Sequence, residues 1–169
     1  MLCNEDKKAL QVKGEDCFIL AECFFDRPFK RPTYLFNQRG KSAGTAHLQR
    51  NIIKFNAILF TQNKEVFINQ VVAHEVAHLV AYQQYGKVRP HGREWQHIMH
   101  NIFNCPASTT HSLDISDVIG KQFNYQCLCT THQLTIRRHN KVLKGVSYLC
   151  KSCKGVLKAN PHLDNGDKI

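Results

Sequence analysis

The residues best placed to do chemistry in this chain are His74, Glu75 and His78, in the order His74-Glu75-Val76-Ala77-His78. On a helix, positions four apart lie one turn apart on a single face. Both imidazoles can then reach one ion while Glu75 stands close enough to hold a water beside it. A zinc ion so held lowers the pKa of its water towards about 7 and polarises a scissile carbonyl, and a carboxylate that does not ligate the metal takes the proton. The flanking runs, Val66-Phe67-Ile68-Asn69-Gln70-Val71-Val72-Ala73 and Leu79-Val80-Ala81-Tyr82, are largely apolar, so the helix is expected to be buried on most of its circumference. Unpartnered burial of two imidazoles and a carboxyl would be costly, which favours a metal site over a chance pattern.

Hydrolytic zinc needs a third protein ligand and an open fourth position. The extended zincin pattern H-E-x-x-H-x-x-G-x-x-H is not met, because Ala81 and Gln84 stand where Gly and His should. Gly86 can end the helix, and Val88-Arg89-Pro90 reads as extended chain leading to His91-Gly92-Arg93-Glu94-Trp95. His91 is the foremost third ligand, with Glu94 and His97 as competitors. The oxyanion donor is left open among Tyr82, Tyr85, Arg93 and His111.

A second metal pattern lies further on. Cys127-Leu128-Cys129-Thr130-Thr131-His132 is followed by Cys150-Lys151-Ser152-Cys153, and this reads as a zinc ribbon. Five candidates compete for four places: Cys127, Cys150 and Cys153 are expected to take three, the last two as a C-x-x-C pair, and Cys129 competes with His132 for the fourth. Cys3, Cys17, Cys23 and Cys105 are scattered and read as small apolar residues. The cofactors expected are therefore one catalytic zinc and a second, structural one.

The positive charge is concentrated at one end. Residues 1–120 carry 14 Lys+Arg against 11 Asp+Glu, whereas residues 121–169 carry 9 against 2. Arg137, Arg138, His139, Lys141 and Lys144 make a compact cationic surface between the ligand pairs, with Tyr125 and Tyr148 for stacking, so nucleic acid is the expected partner. No export signal and no membrane span is read from the sequence. Thiols at metal-type spacing then favour a cytoplasmic protein over one in an oxidising space.

The elements that must position these groups are an N-terminal helix over about residues 5–25, three short strands at 33–37, 43–48 and 51–56 forming an antiparallel meander, the H-E-x-x-H helix from the capping groups Thr61-Gln62-Asn63 to Gly86, and a helix from about Gly92 to Phe103. The first helix should bury Leu10, Cys17, Leu20, Ala21 and Phe24. The expected class is α+β: a minimal zincin-like core over 1–112, a connector over 113–122, a zinc ribbon over 123–160 and a tail over 161–169. The segment 43–48 is a candidate strand edge beside the cleft, where a substrate backbone could add as a further strand.

The chain resembles the SprT family of bacterial proteins, related through the protease domain to the eukaryotic DNA-repair protease Spartan. The resemblance rests on Gln38-Arg39-Gly40-Lys41-Ser42-Ala43-Gly44-Thr45-Ala46, Val72-Ala73-His74-Glu75-Val76-Ala77-His78-Leu79, Pro90-His91-Gly92-Arg93-Glu94-Trp95, and Tyr125-Gln126-Cys127-Leu128-Cys129 through Arg137-Arg138-His139-Asn140 to Cys150-Lys151-Ser152-Cys153. It implies a metallopeptidase-like domain with His74, His78 and His91 as zinc ligands and Glu75 as base, a C-terminal zinc ribbon and a cytoplasmic location. The implied substrate is protein crosslinked to or bound on DNA, with single-stranded or damaged DNA as the nucleic acid. The alternative is a nucleic-acid-binding adaptor, linked to transcription or stress, whose H-E-x-x-H site is structural or idle.

Overall fold

Cys3 opens the first helix: its Sγ accepts the Asp6 N–H at 3.3 Å, and Glu5 and Asp6 occupy the first turn, where the helix dipole favours negative charge. Cys3 is thus a capping group rather than a packed apolar one. Helix α1 runs Asn4–Phe25 and stops at Asp26, which takes a left-handed φ of 51°. Its inward face is Leu10, Gly14, Cys17, Phe18 and Ala21. Leu20 and Phe24, expected inside, lie on the flank of that face and are exposed, and Phe18 takes the buried place. The computed structural model describes residues 2–110 and 113–160, so His111 and the expected tail lie outside it. The chain divides into one unit that reaches to Val118 and another that begins at Ile119.

The sheet of the first unit is mixed, not the antiparallel meander expected. Its order is β1-β3-β2, with β1 (Thr33–Leu35) parallel and β2 (Gly44–His47) antiparallel to the central β3 (Ile52–Phe55). Asn51 is the cause. It turns the chain at φ 51° after the 3-10 turn Leu48–Arg50, which joins β2 to β3 as neighbours. The same residue donates Nδ2 to the Arg31 carbonyl at 2.7 Å and accepts the Thr33 N–H on its own carbonyl at 3.0 Å. The start of β1 is thereby pinned beside the start of β3, and the two strands must run the same way. β2 is left as an edge strand.

The long helix expected from Thr61 to Gly86 is interrupted. α2 (Ala57–Gln62) is capped by the buried Asn56, whose Oδ1 accepts the N–H groups of Ile58 and Leu59 at 3.2 and 3.4 Å. α3 (Lys64–Val66) leads through a π-helical turn, Phe67–Val71, into α4 (Val72–Tyr85). Asn63, expected to cap, instead ties the break to a distant segment: it donates to the Asp114 carbonyl at 3.0 Å and accepts the Asp114 N–H at 2.8 Å. Leu113, Ile115 and Val118 pack against the core of the first unit, so the first half of the expected connector belongs to that unit. α4 is buried from Val72 to Ala81 except at His78 and ends at Gly86, where φ 75° combined with ψ −145° suits glycine alone. α5 (Arg93–His97) continues into a second π-helical turn, Ile98–Ile102.

In the second unit, β4 (Gln122–Gln126) pairs antiparallel with β5 (Thr131–Thr135) and with the short β6 (Lys158–Ala159). Between β5 and Cys150 stands an eight-residue helix, α6 (Ile136–Leu143), which the charge pattern did not announce. The described core of this unit is only Tyr125, Leu134, Cys150 and Leu157. No helix among the described residues is long and apolar enough to cross a membrane.

Candidate metal centres and active site

His74 and His78 project from one face of α4, and His91 comes to them from the turn before α5. Their Nε2 atoms form a triangle: 3.2 Å between His74 and His78, 3.1 Å between His78 and His91, and 3.0 Å between His91 and His74. Nitrogens bound to one tetrahedral zinc at about 2.0–2.1 Å would lie about 3.3 Å apart, so the triangle fits that ion. Burial pulls His78 down to about 4, with His91 adding to the effect, and burial lowers His91 as well. Neutral imidazole is the form that offers a metal its lone pair.

Two devices hold the triangle. His91 has a left-handed φ of 54°, a conformation costing a non-glycine residue about 1 kcal/mol or more, within a turn closed by Gly92 N–H on the Arg89 carbonyl at 2.9 Å. Trp95 of α5, 1% exposed, sets its ring 4.8, 5.5 and 4.7 Å from the rings of His74, His78 and His91, and its Nε1 donates to the His74 carbonyl at 3.2 Å. Trp95 follows His91 closely in sequence, but no local pattern announces this support.

Glu75 is 6% exposed and lines the same cleft of about 520 Å³ as the three histidines. Burial pushes its carboxyl up to about 7, opposed by the Ala46 N–H that donates to it. That donor follows from strand pairing. Asn56 N–H bonds the Ala43 carbonyl at 2.8 Å, so alternation along the antiparallel pair turns the backbone polar groups of Gly44 and Ala46 away from β3. Gly44 leaves room for Glu75. A Cβ there would lie 2.8 Å from Glu75 Cγ and 2.9 Å from Oε1. Gly44 sat within the quoted family segment, but a glycine's closeness to a carboxylate has no signal in one sequence.

The competing ligands lie elsewhere. His97 packs its ring on Phe24 at 5.5 Å, and Glu94 lines a neighbouring groove; neither joins the three-histidine group among the described residues. Of the oxyanion candidates, Tyr82 and Arg93 line other grooves and Tyr85 packs on Phe25 at 6.1 Å. None of these three lines the cleft.

In the second unit the ligand atoms of Cys127, Cys129, Cys150 and Cys153 all lie within 4.8 Å of one another. His132 stands beside the group, its Nε2 3.4 Å from Cys127 Sγ, without joining it. The Cys129 N–H, directed at sulfur, holds the Cys127 thiol down to about 5, and the N–H groups of Cys153 and Ser152 hold Cys150 down to about 7, whereas the neighbouring sulfurs push Cys129 up to about 12. Crowded thiolates repel unless a cation sits among them, so this donor set fits a divalent soft metal such as zinc.

The ribbon's cations divide. Arg137, Arg138, Lys141 and Lys144 are exposed on or just after α6. His139, expected among them, is engaged: its ring stacks on Phe123 with centroids 3.6 Å apart, and its Nδ1 bonds Tyr125 Oη at 3.0 Å. Tyr125 is 1% exposed and cannot stack on a base, and Arg138 covers Tyr148 at 5.8 Å.

Family models match both units: the SprT-like family over residues 14–111 and the SprT-like zinc ribbon domain over residues 121–159. The chain is 52% identical to Protein SprT of Vibrio atlanticus over 143 residues, 84% of this chain and 86% of that one. It is 50% identical to Protein SprT of Actinobacillus succinogenes over 153 residues, 90% of each chain. No solved structure matches it significantly. Matched along nearly its whole length, with one candidate metal group in each unit, the chain belongs to the SprT family.

Proposed function

We propose that the chain is a zinc metalloendopeptidase with a zincin-like core, acting on proteins bound or crosslinked to DNA, and that its basic ribbon docks the nucleic acid. The observation that carries the reading is a three-nitrogen triangle beside a buried carboxyl in an open cleft, with no fourth His, Cys, Asp or Glu in the group among the described residues. A structural zinc is normally closed by four protein ligands, and a hydrolytic one keeps a position free.

His74, His78 and His91 would hold the catalytic ion and Cys127, Cys129, Cys150 and Cys153 a structural one. Zinc, when bound, supplies Lewis acidity towards the peptide carbonyl and its attacking water. Glu75 takes the proton of that water and returns it to the leaving amine. Glu75, buried in the cleft beside the three histidines, is placed for both transfers, and the Ala46 N–H fixes its orientation. The Gly44 N–H and the Ala46 carbonyl face outward along the β2 edge beside the cleft, where an extended peptide can add as a further strand. Arg137, Arg138, Lys141 and Lys144 supply the ribbon's phosphate contacts.

The test is cleavage of a protein crosslinked to DNA, with and without added single-stranded DNA, by the intact chain and by Glu75→Gln at matched zinc content. DNA-stimulated cleavage that falls at least 100-fold in the variant supports the reading. Zinc and DNA binding without cleavage by either protein would favour the adaptor.

A further inference from the structure

We propose that the first unit carries its own track for a nucleic-acid strand, separate from the ribbon, in the cationic grooves that flank the catalytic cleft. The inference rests on the nucleic-acid partner proposed above and adds a second contact surface to it.

Two grooves of about 380 and 590 Å³ share Leu48, Gln49, Arg50 and Tyr82, and a third of about 930 Å³ shares Lys87 with the first of them. Their charged lining is Arg27, Lys30, Arg50, Lys87, Arg89 and Arg93 against one acid, Glu94. Residues 1–120 hold 14 cations and 11 acids, so the rest of that stretch is left with eight cations and ten acids. The positive charge is gathered into the grooves rather than spread for solubility. None of the six cations joins an ion pair among the described residues, where the salt bridges belong to Arg31 and Lys64. Arg27 reaches only neutral acceptors, the Gln83 carbonyl at 3.4 Å and Gln84 Oε1 at 3.1 Å.

The grooves also carry a ring. Tyr82, half-buried, lines the first two, and phosphate-binding cations around an aromatic face suit a single strand, whose bases stack without sequence preference. An acidic peptide would use the cations and leave the ring idle. Location gives the track its use. Leu48 lines both the first two grooves and the catalytic cleft, and His91 lines both the third groove and the cleft. A strand lying in the grooves therefore passes the cleft, and a protein attached to it is carried to Glu75.

The experiment uses the zinc-loaded full chain and a fluorescent oligothymidylate bearing 5-iododeoxyuridine. Lys30→Glu/Arg50→Glu/Lys87→Glu is compared with the ribbon variant Arg137→Glu/Arg138→Glu/Lys141→Glu. The replaced groove side chains make no hydrogen bond or ion pair among the described residues, so zinc content and circular dichroism are expected to stay unchanged. Expected results are at least a tenfold weaker Kd for the groove variant, a salt slope smaller by about 2 for three lost single-strand phosphate contacts, and photocrosslinking of the intact chain at Tyr82. Unchanged affinity and slope in the groove variant, with crosslinks confined to residues after 119 and binding lost in the ribbon variant, would overturn the track and leave the function standing. Displacement of the oligonucleotide by polyglutamate at equal charge would assign the groove to acidic protein and overturn it as well. No binding by the intact chain would remove both the track and the nucleic-acid reading.

Discussion

At Gly44 a hydrogen stands where any other residue would bring a carbon 2.8 Å from Glu75 Cγ. The neighbouring Ala46 N–H donates to the same carboxyl, so the edge strand both leaves room for the base and orients it. Gly44→Ala should keep its zinc yet lose cleavage by about 100-fold, since a displacement of about 1 Å at a reacting group has that effect; metal analysis beside peptidase assays reads both. Retained activity would show that Glu75 shifts freely. At the second centre, Cys129 lies within the sulfur group while His132 stands beside it. Cys129→Ser should reduce the zinc content from two ions per chain to one, and His132→Ala should leave it at two. The reverse result would hand the fourth place to the histidine. The H-E-x-x-H pair was legible because a helix repeats every 3.6 residues. His91 was legible only as one of three candidates, because its place depends on a left-handed turn.

Among the elements, α1 is joined to β1 by a clasp that no periodicity predicts. Arg31 bonds Glu22, with Nη2 to Oε2 at 2.8 Å, and meets Glu15 with Nη2 to Oε1 at 2.7 Å, while the Phe29 N–H donates to Glu22 at 2.8 Å. Arg31 holds Glu22 down to about 2, from an ordinary 4.5. A carboxyl lowered on folding stabilises the protein above its unfolded pKa, and that stability is lost as the pH falls through the folded value. The side chains of Arg31 and Glu22 are 35% and 26% exposed, so solvent screening limits the contribution to about 1 kcal/mol. Urea unfolding followed through Trp95, the single tryptophan, should show Glu22→Gln less stable by about that amount at pH 7. The difference should shrink below pH 4.5 and vanish near pH 2. A pH-independent difference would mean that packing, not charge, is what the variant lost.

For the molecule as a whole, the two units depend on metal to different degrees. The first buries a large core around Phe18, Phe55, Phe60, Phe67 and Trp95, whereas the described core of the second is four residues. So small a core cannot offset the entropy of ordering the chain without the metal staple. Chelation should therefore collapse the amide dispersion of residues 122–159 in NMR spectra while methyl signals of Ile53 and Leu79 stay dispersed. Loss of both sets together would make the units one cooperative body. The sequence by itself determined the local chemistry: which histidines share a helical face, which cysteines form pairs, and where the charge accumulates. These depend on neighbours a few residues apart. Tertiary structure decided the parallel pairing of β1 through Asn51, the seating of His91 and Trp95 against His74 and His78, and the withdrawal of Tyr125 and His139 from the ribbon's surface. It also gathered Arg27, Lys30, Arg50 and Lys87 into neighbouring grooves. Each depends on residues far apart in sequence, brought together only by packing and hydrogen bonds that no local pattern encodes.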